Sequence, residues 1–273
     1  MKRLFTNLIY AIPLFFIFGC STVAVTGRKQ LLLVSNEEVL SLSQQSFSDY
    51  MKSAKPSTNQ AKTQMVRNVG QRIAKAVESY LVSEGRSGDV QGFAWEFHLV
   101  QDPNANAFCM PGGKIVVNEG ILPYTKTEDE LAIILGHEIA HAVAKHSAER
   151  MSQQMLVSYG GVILDGALNM KSPLTRTLAQ QVYGLGAQYG VMLPYSRSNE
   201  VEADHLGLIF AYMAGYNPEA AISFWKRMSA GGQSIPEFMS THPSDQTRIN
   251  KLNQLIPKVK QKNYKQINAP KNT

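Results

Sequence analysis

The segment ILGHEIAHAVAKH, residues 134–146, holds three of the chain's six histidines, with a glutamate directly beside the first. His137 and His141 are four residues apart, so on a helix their side chains lie within about 40° of each other and can meet one metal ion. Glu138 follows the first of them, where its carboxylate can take a proton from water at that metal. This is the HEXXH pattern, which supplies two zinc ligands and a general base for hydrolysis.

The sequence around HEXXH is apolar and predicts a buried helix from about Glu128 to Gln154, begun by the acidic residues TEDE. Burying two histidines and a glutamate without a partner costs several kcal/mol, and a bound metal removes that cost. The alternative is an accidental cluster on a core helix. His146 lies five residues beyond His141, so we expect it to point elsewhere, as a polar surface histidine.

A zinc enzyme needs a third protein ligand and an open position for water. The helical stretch SRSNEVEADHLG supplies the candidates Glu200, Glu202, Asp204 and His205. Glu200 and Asp204 share one helix face, whereas Glu202 points away from both. We therefore predict Glu200 as the third ligand, with Glu202 as its first substitute, and Asp204 as the partner of a ligand histidine's free ring nitrogen. The alternative is an ordinary acidic helix N-terminus.

The order HEIAH, NEVEADHLG and THPSDQTRI resembles peptidase family M48, and in particular its soluble periplasmic branch of BepA-type proteases, related to HtpX and to prenyl-protein endopeptidases. The likeness covers more than half of the chain. It implies an α+β, predominantly helical, zincin-like (gluzincin) fold with a small antiparallel sheet and an active-site helix. It also implies one zinc ion per chain on His137, His141 and Glu200, with Glu138 as general base.

The same resemblance assigns roles to residues farther along the chain. Asp204 matches the acid of the family's ExxxD motif, and Arg248 is expected to pair with an acid near the site. His242 either stabilises the oxyanion or occupies the open zinc position at rest. One strand resembles the edge that zincins offer to an extended substrate, which would bind by strand addition. The residues expected there are Asn106, Ala107 and Phe108.

The N-terminal residues MKRLFTNLIYAIPLFFIFGC combine a basic start, an apolar run and a lipobox-like end. We read residues 1–19 as a lipoprotein signal peptide and Cys20 as the lipidation site; an ordinary signal peptide or an uncleaved anchor is the alternative. Residues 20–58 are then a tether and N-terminal helix, 59–257 the zinc metalloprotease domain and 258–273 a basic flexible tail. The expected location is the bacterial cell envelope, with the protein anchored to the outer membrane and facing the periplasm.

The secondary-structure pattern places these motifs on defined elements. Capped helices are predicted after Ser35 and Asn59, and the segments AWEFHLV, NAFCM and KIVVN predict three strands. From Thr127 onward the pattern is helical. The apolar segment at 155–170 predicts a packed helix, with a surface-inserting hairpin as the alternative.

Composition narrows the function further. The net charge of +6 comes from scattered basic residues without an aromatic-basic stripe, which argues against a nucleic-acid partner. Together with the N-terminal signal, the resemblance implies a zinc endopeptidase of the bacterial cell envelope that hydrolyses misfolded or unassembled proteins and has links to the envelope assembly machinery. The alternatives are a zinc-containing periplasmic chaperone or assembly factor for outer-membrane proteins, and a helical interaction lipoprotein with an accidental HEXXH.

Overall fold

The structure, a computed structural model, describes residues 20–155, 196–230, 237–242, 246–262 and 264. The strands are β1 (Cys20–Thr22), β2 (Lys29–Leu31), β3 (Glu96–Val100), β4 (Ala107–Met110) and β5 (Lys114–Asn118). The helices are α1 (Asn36–Ser53), α2 (Gln60–Ser83), α3 (Glu128–Val143), α4 (residues 146–155), α5 (Arg197–Met213), α6 (Ala220–Ser229), α7 (Glu237–Thr241) and α8 (Gln246–Gln261). The α+β, predominantly helical class is confirmed. The predicted signal peptide and nearly all of the apolar segment at 155–170 lie outside the described residues.

Side-chain caps fix where the first helices begin. Ser35 accepts a hydrogen bond from the Glu38 N–H at 3.2 Å and starts α1, and Asn59 accepts one from the Lys62 N–H at 3.0 Å and starts α2. The Thr127 hydroxyl accepts from the Glu130 N–H at 3.2 Å and starts α3. Each cap satisfies a backbone donor that the first helical turn leaves unpaired.

The small sheet has the order β3-β5-β4, with β5 parallel to β3 and antiparallel to β4. It differs from the predicted antiparallel sheet in the β3–β5 pair. All five residues of β5 are buried, so this strand takes the centre. Gly112 and Gly113, with φ of 83° and 85°, turn the chain tightly from β4 into β5 and make that pair antiparallel. β4 is thereby left at the sheet edge, as the sequence reading requires.

The helices α3 and α5 form the most extensive packing interface in the described part of the chain. They cross at Gly136 and Gly207, where a Cβ on Gly207 would lie 2.8 Å from the His137 backbone nitrogen. A Cβ on Gly136 would lie 2.7 Å from the Gly207 carbonyl oxygen. Only glycine permits this approach, which places the first turns of α5 against the histidines of α3.

The predicted continuous helix from Glu128 to Gln154 is wrong in one respect. α3 ends at Val143, and a turn at Ala144 and Lys145 separates it from α4. Lys145 has φ of 56°, in the left-handed region, which takes the chain out of the right-handed helix. Residues after the turn therefore do not continue the helical face of the HEXXH motif.

No helix within the described ranges combines the length and the apolar content needed to cross a membrane.

Candidate metal centre

Four buried side chains bring one donor atom each to a single point. They are His137 and His141 of α3, Glu200 of α5 and His242, directly after α7, and their donor atoms all lie within 4.8 Å of one another. None of the four residues is more than 5% exposed. The HEXXH histidines and the predicted third ligand are thus brought together, and a further histidine joins them.

The spacing of the donor atoms is that of a tetrahedral metal shell. The Nε2 atoms of His137 and His141 are 3.0 Å apart, and His242 Nδ1 lies 3.1 Å from His137 Nε2. The Glu200 carboxylate oxygens lie 3.4 Å from His141 Nε2 and 3.5 Å from His137 Nε2. Bonds of about 2.0–2.1 Å from a central ion give shell edges of about 3.3 Å. Three imidazole nitrogens and one carboxylate converging on one point at these distances are the donors that a divalent metal prefers, so the set fits such an ion.

The free ring nitrogen of His137 is held by an acid and an arginine. His137 Nδ1 lies 3.0 Å from Asp204 Oδ1. Arg248 donates to both oxygens of Asp204, from Nε at 2.7 Å and from Nη2 at 2.6 Å. An acid on Nδ1 favours the tautomer that leaves Nε2 free for a metal and fixes the ring's orientation.

Burial and neighbouring charge set the protonation of the ligands. Burial lowers the pKa of His141 well below its usual value, which keeps the imidazole neutral, the form that binds metals. Burial alone would raise the pKa of Glu200, but His242 and hydrogen bonds from the two α3 histidines outweigh it and hold that pKa far below the usual range. Glu200 therefore offers an anionic oxygen.

Glu138 lies beside the donor set and is also buried. Burial raises the pKa of its carboxyl to about 7. The Cys109 N–H donates to this carboxylate, and among the described residues its Oε1 has no hydrogen-bond partner. His242 Nε2 lies 3.4 Å from that oxygen, a contact too long to satisfy it. The arrangement leaves a carboxylate oxygen directed into the site with a pKa suited to proton transfer near neutral pH.

His242 is fixed by ring packing. Its ring centroid lies 4.6 Å from that of Phe238 and 4.9 Å from that of His137. Its Nδ1 belongs to the donor set, and Glu200 Oε1 is 3.1 Å from it. Of the two roles expected from the sequence, this placement favours occupation of the fourth metal position at rest.

The strand edge expected to receive substrate passes directly beside the base, because the Cys109 N–H of β4 donates to Glu138. Asn106 and Ala107 are buried, and the Ala107 N–H donates to Asn106 Oδ1 at 2.9 Å. Phe108 packs edge-on against Tyr50 of α1, with ring centroids 5.3 Å apart. The outward Ala107 amide is therefore held by its own neighbour's side chain in this conformation.

One residue of the site was missed by sequence reasoning. His146, expected at the surface, is only 1% exposed, and its Nδ1 lies 2.9 Å from His141 Nδ1. Its Nε2 lies 3.0 Å from Glu202 Oε2, so Glu202 faces His146 and not the donor set. The expectation rested on a continuous helix, and the left-handed turn at Lys145 brings His146 back toward His141. His205, another candidate ligand, lies outside the donor set.

The fold and this donor set are those of the zincin-like class, in which an HEXXH helix and a carboxylate from a later helix face one metal position. The sequence model of peptidase family M48 matches residues 61–256, and the chain belongs to this family. The resemblance drawn from the motifs is confirmed.

Curated relatives agree with the family. The chain is 41% identical over 172 residues to the mitochondrial metalloendopeptidase OMA1 of Schizosaccharomyces pombe, covering 62% of this chain and 48% of that protein. It is 34% identical over 246 residues to the mitochondrial metalloendopeptidase OMA1 of Homo sapiens, covering 86% and 45%. It is 28% identical over 215 residues to the beta-barrel assembly-enhancing protease of Escherichia coli, covering 73% and 40%. The chain spans about half the length of these relatives.

These comparisons correct the expected location. The prediction of a lipid-anchored protein at the bacterial outer membrane, facing the periplasm, is wrong. OMA1 proteins from fungi, a plant and animals carry mitochondrial names, and the S. pombe protein matches at 41% identity. The bacterial assembly-enhancing proteases match at 32% and 28%.

Proposed function

We propose that the protein is a zinc-dependent endopeptidase in which His137, His141 and Glu200 hold the ion and Glu138 is the general base. The observation that carries this proposal is the convergence of two imidazole nitrogens and a carboxylate. Beside them lies Glu138 Oε1, which has no hydrogen-bond partner among the residues that the structure describes. Zinc suits two nitrogen donors and one oxygen donor at tetrahedral spacing.

When bound, the ion would lower the pKa of water toward about 7 and polarise the scissile carbonyl. Glu138 takes the proton of the attacking water and then delivers it to the leaving amine. Its pKa of about 7, raised by burial, suits both acceptance and release. Asp204 and Arg248 keep the His137 ring in place throughout.

The proposed substrates are misfolded or unassembled proteins. Strand addition at β4 admits only an extended segment, because the incoming chain must present its backbone groups to the sheet edge. A folded protein seldom offers such a segment, whereas an unfolded one offers many.

We further propose residues 59–257 as the protease domain, which the family match over 61–256 supports. Residues 20–31, predicted as part of a tether, instead form the β1–β2 hairpin, with Val23 and Ala24 buried. The basic tail stays a prediction for the residues beyond Gln261, where α8 ends.

The test compares Glu138→Gln with wild type for zinc content and for digestion of casein or another unfolded protein. The expected result is full zinc content with hydrolysis reduced by about a hundredfold or more, since general-base catalysis contributes about 10²–10⁴-fold. Glu128→Gln is the matched control, because Glu128 is an exposed glutamate on the same helix. Hydrolysis retained by purified Glu138→Gln defeats the base assignment.

A second candidate function is a zinc-containing assembly factor with little protease activity. It is favoured by His242 Nδ1, since a fourth protein donor closes a zinc site, and closed sites are structural. The name of the assembly-enhancing proteases fits this role too. His242→Ala separates the two functions. A resting-state ligand predicts zinc retention with equal or higher hydrolysis, whereas an assembly factor predicts no hydrolysis from either form.

A further inference from the structure

In both histidines of the HEXXH motif, the Nδ1 atom, which faces away from the donor set, contacts another buried side chain. Behind His137 lie an acid and then an arginine, Asp204 and Arg248. Behind His141 lies a longer series: His146 at 2.9 Å, and then Glu202 at 3.0 Å from His146. This second series ends in the N-terminal hairpin, outside the residues that the family match covers.

The ring nitrogens of the second series admit one consistent proton arrangement once a metal occupies His141 Nε2. His141 Nδ1 then carries its proton and donates to His146 Nδ1. His146 Nε2 in turn carries a proton and donates to the Glu202 carboxylate. Both side chains are buried, at 0% and 6% exposed, so water does not compete for these bonds.

Arg28, in the turn between β1 and β2, holds the far end of the series. Its Nε donates to Glu202 Oε2 at 2.7 Å, and the Thr26 hydroxyl also donates to Glu202. The two terminal nitrogens of Arg28 donate hydrogen bonds to the two carboxylate oxygens of Glu149 on α4, each at 2.7 Å. One guanidinium therefore ties α4 and α5 together behind the metal site, with the fork geometry that arginine offers to carboxylates.

The hairpin that carries Arg28 is anchored in the main core. Val23 and Ala24, which precede the arginine, are 1% and 2% exposed and belong to the principal hydrophobic cluster. The Thr22 carbonyl accepts from Arg86 at 2.8 Å. The position of Arg28 is thus fixed by packing, and it can in turn fix Glu202.

We propose that His146, Glu202 and Arg28 form a positioning chain that orients the His141 ring, so that the N-terminal hairpin contributes to metal affinity. The inference rests on the proposed function, because it assumes that His141 is a metal ligand. Groups that orient a ligand histidine typically contribute about 10- to 100-fold to metal affinity.

The experiment measures zinc affinity of the full chain by competition with a chelator, for wild type, His146→Phe, Arg28→Gln and Arg227→Gln. Arg227 is the matched control: its side chain is 27% exposed against 28% for Arg28, and it also grips a buried glutamate with two nitrogens. Its partner, Glu130, lies at the start of α3 and is not a member of the proposed positioning chain. His146→Phe keeps an aromatic ring, somewhat larger than imidazole, and removes the hydrogen bonds to His141 and Glu202.

The expected loss of zinc affinity is about 10- to 100-fold for His146→Phe and at least about threefold for Arg28→Gln, with Arg227→Gln unchanged. Hydrolysis by the first two variants should recover as zinc is added, whereas Glu138→Gln stays inactive at every zinc concentration. Wild-type affinity in Arg28→Gln, or an equal loss in Arg227→Gln, overturns the positioning chain while the proposed function stands. A wild-type protein that binds no zinc overturns the proposed function itself. If His146→Phe does not fold, Arg28→Gln alone decides.

Discussion

The substitution Gly207→Ala tests whether the close crossing of α3 and α5 assembles the metal site. The added Cβ would lie 2.8 Å from the His137 backbone nitrogen and 3.0 Å from the Gly136 carbonyl carbon. Ordinary contact begins at 3.4 Å, so the helices must separate by about 0.6 Å at this point. Backbone atoms on the other side cannot move aside as a flexible side chain does.

Two opposing terms decide the effect on stability. Alanine is favoured over glycine in a helix by about 1 kcal/mol, whereas overpacking of a well-filled core costs about 1–3 kcal/mol. The net result is a loss of up to about 2 kcal/mol in the free energy of unfolding. The same separation of the helices has a proportionally larger effect on the geometry of the metal site than on the free energy of unfolding. The Glu200–His137 contact is already 3.5 Å, and a further 0.6 Å takes it well past the edge of about 3.3 Å that a tetrahedral shell needs.

We therefore expect Gly207→Ala to lose at least about tenfold in zinc affinity while remaining folded. Chelator competition measures the affinity and urea unfolding of the metal-free protein measures the stability. Gly88→Ala is the control, because a Cβ at Gly88 meets nothing within 4 Å. If Gly207→Ala binds zinc as tightly as wild type and Gly88→Ala, the argument from the helix crossing is refuted.

Three further predictions address separate parts of the molecule. Glu200→Ala should purify with little zinc, because the carboxylate ligand is gone; full occupancy by metal analysis would place the third ligand elsewhere. Ala107→Pro removes a backbone N–H that donates to the Asn106 side chain and not to β5, so the sheet is kept. Because that N–H lies on the edge proposed to bind substrate, KM for an unfolded substrate should rise about tenfold with zinc content unchanged. Equal loss of zinc would count against the substrate edge. Burial alone would raise the pKa of Glu130, but hydrogen bonds from Arg227 and other groups lower it overall. The resulting stability is present above the usual value of 4.5 and lost as pH falls through the lower folded pKa, so Glu130→Gln should weaken neutral stability and flatten the acid side of a urea-unfolding profile. An unchanged acid slope would refute that assignment.

The local half of the site was predictable because helix periodicity depends only on neighbouring residues. A spacing of four puts His137 and His141 on one face, and the same rule reduced the acids of NEVEADHLG to Glu200 and Asp204. Each of these readings needed only short-range geometry.

The predictions failed where the conformation depends on tertiary packing and not on the neighbouring residues. Lys145 adopts a left-handed conformation that is uncommon for lysine, so no local signal warned that the helix would break before His146. The parallel pairing of β3 with β5 likewise depends on which strand the core buries on both faces. The location was inferred from the composition of the first twenty residues, and the relatives overturned it.

The sequence by itself indicated the candidate chemistry of this protein: two imidazoles one helical turn apart, a carboxylate beside them and membership of peptidase family M48. Only the tertiary structure decided how the set is completed. Glu200 reaches the histidines because two glycines let two helices touch, and Arg28 reaches Glu202 across 174 residues of chain. Contacts of that separation are set by how hydrophobic faces pack and not by any periodicity along the chain, which is why a single sequence does not reveal them.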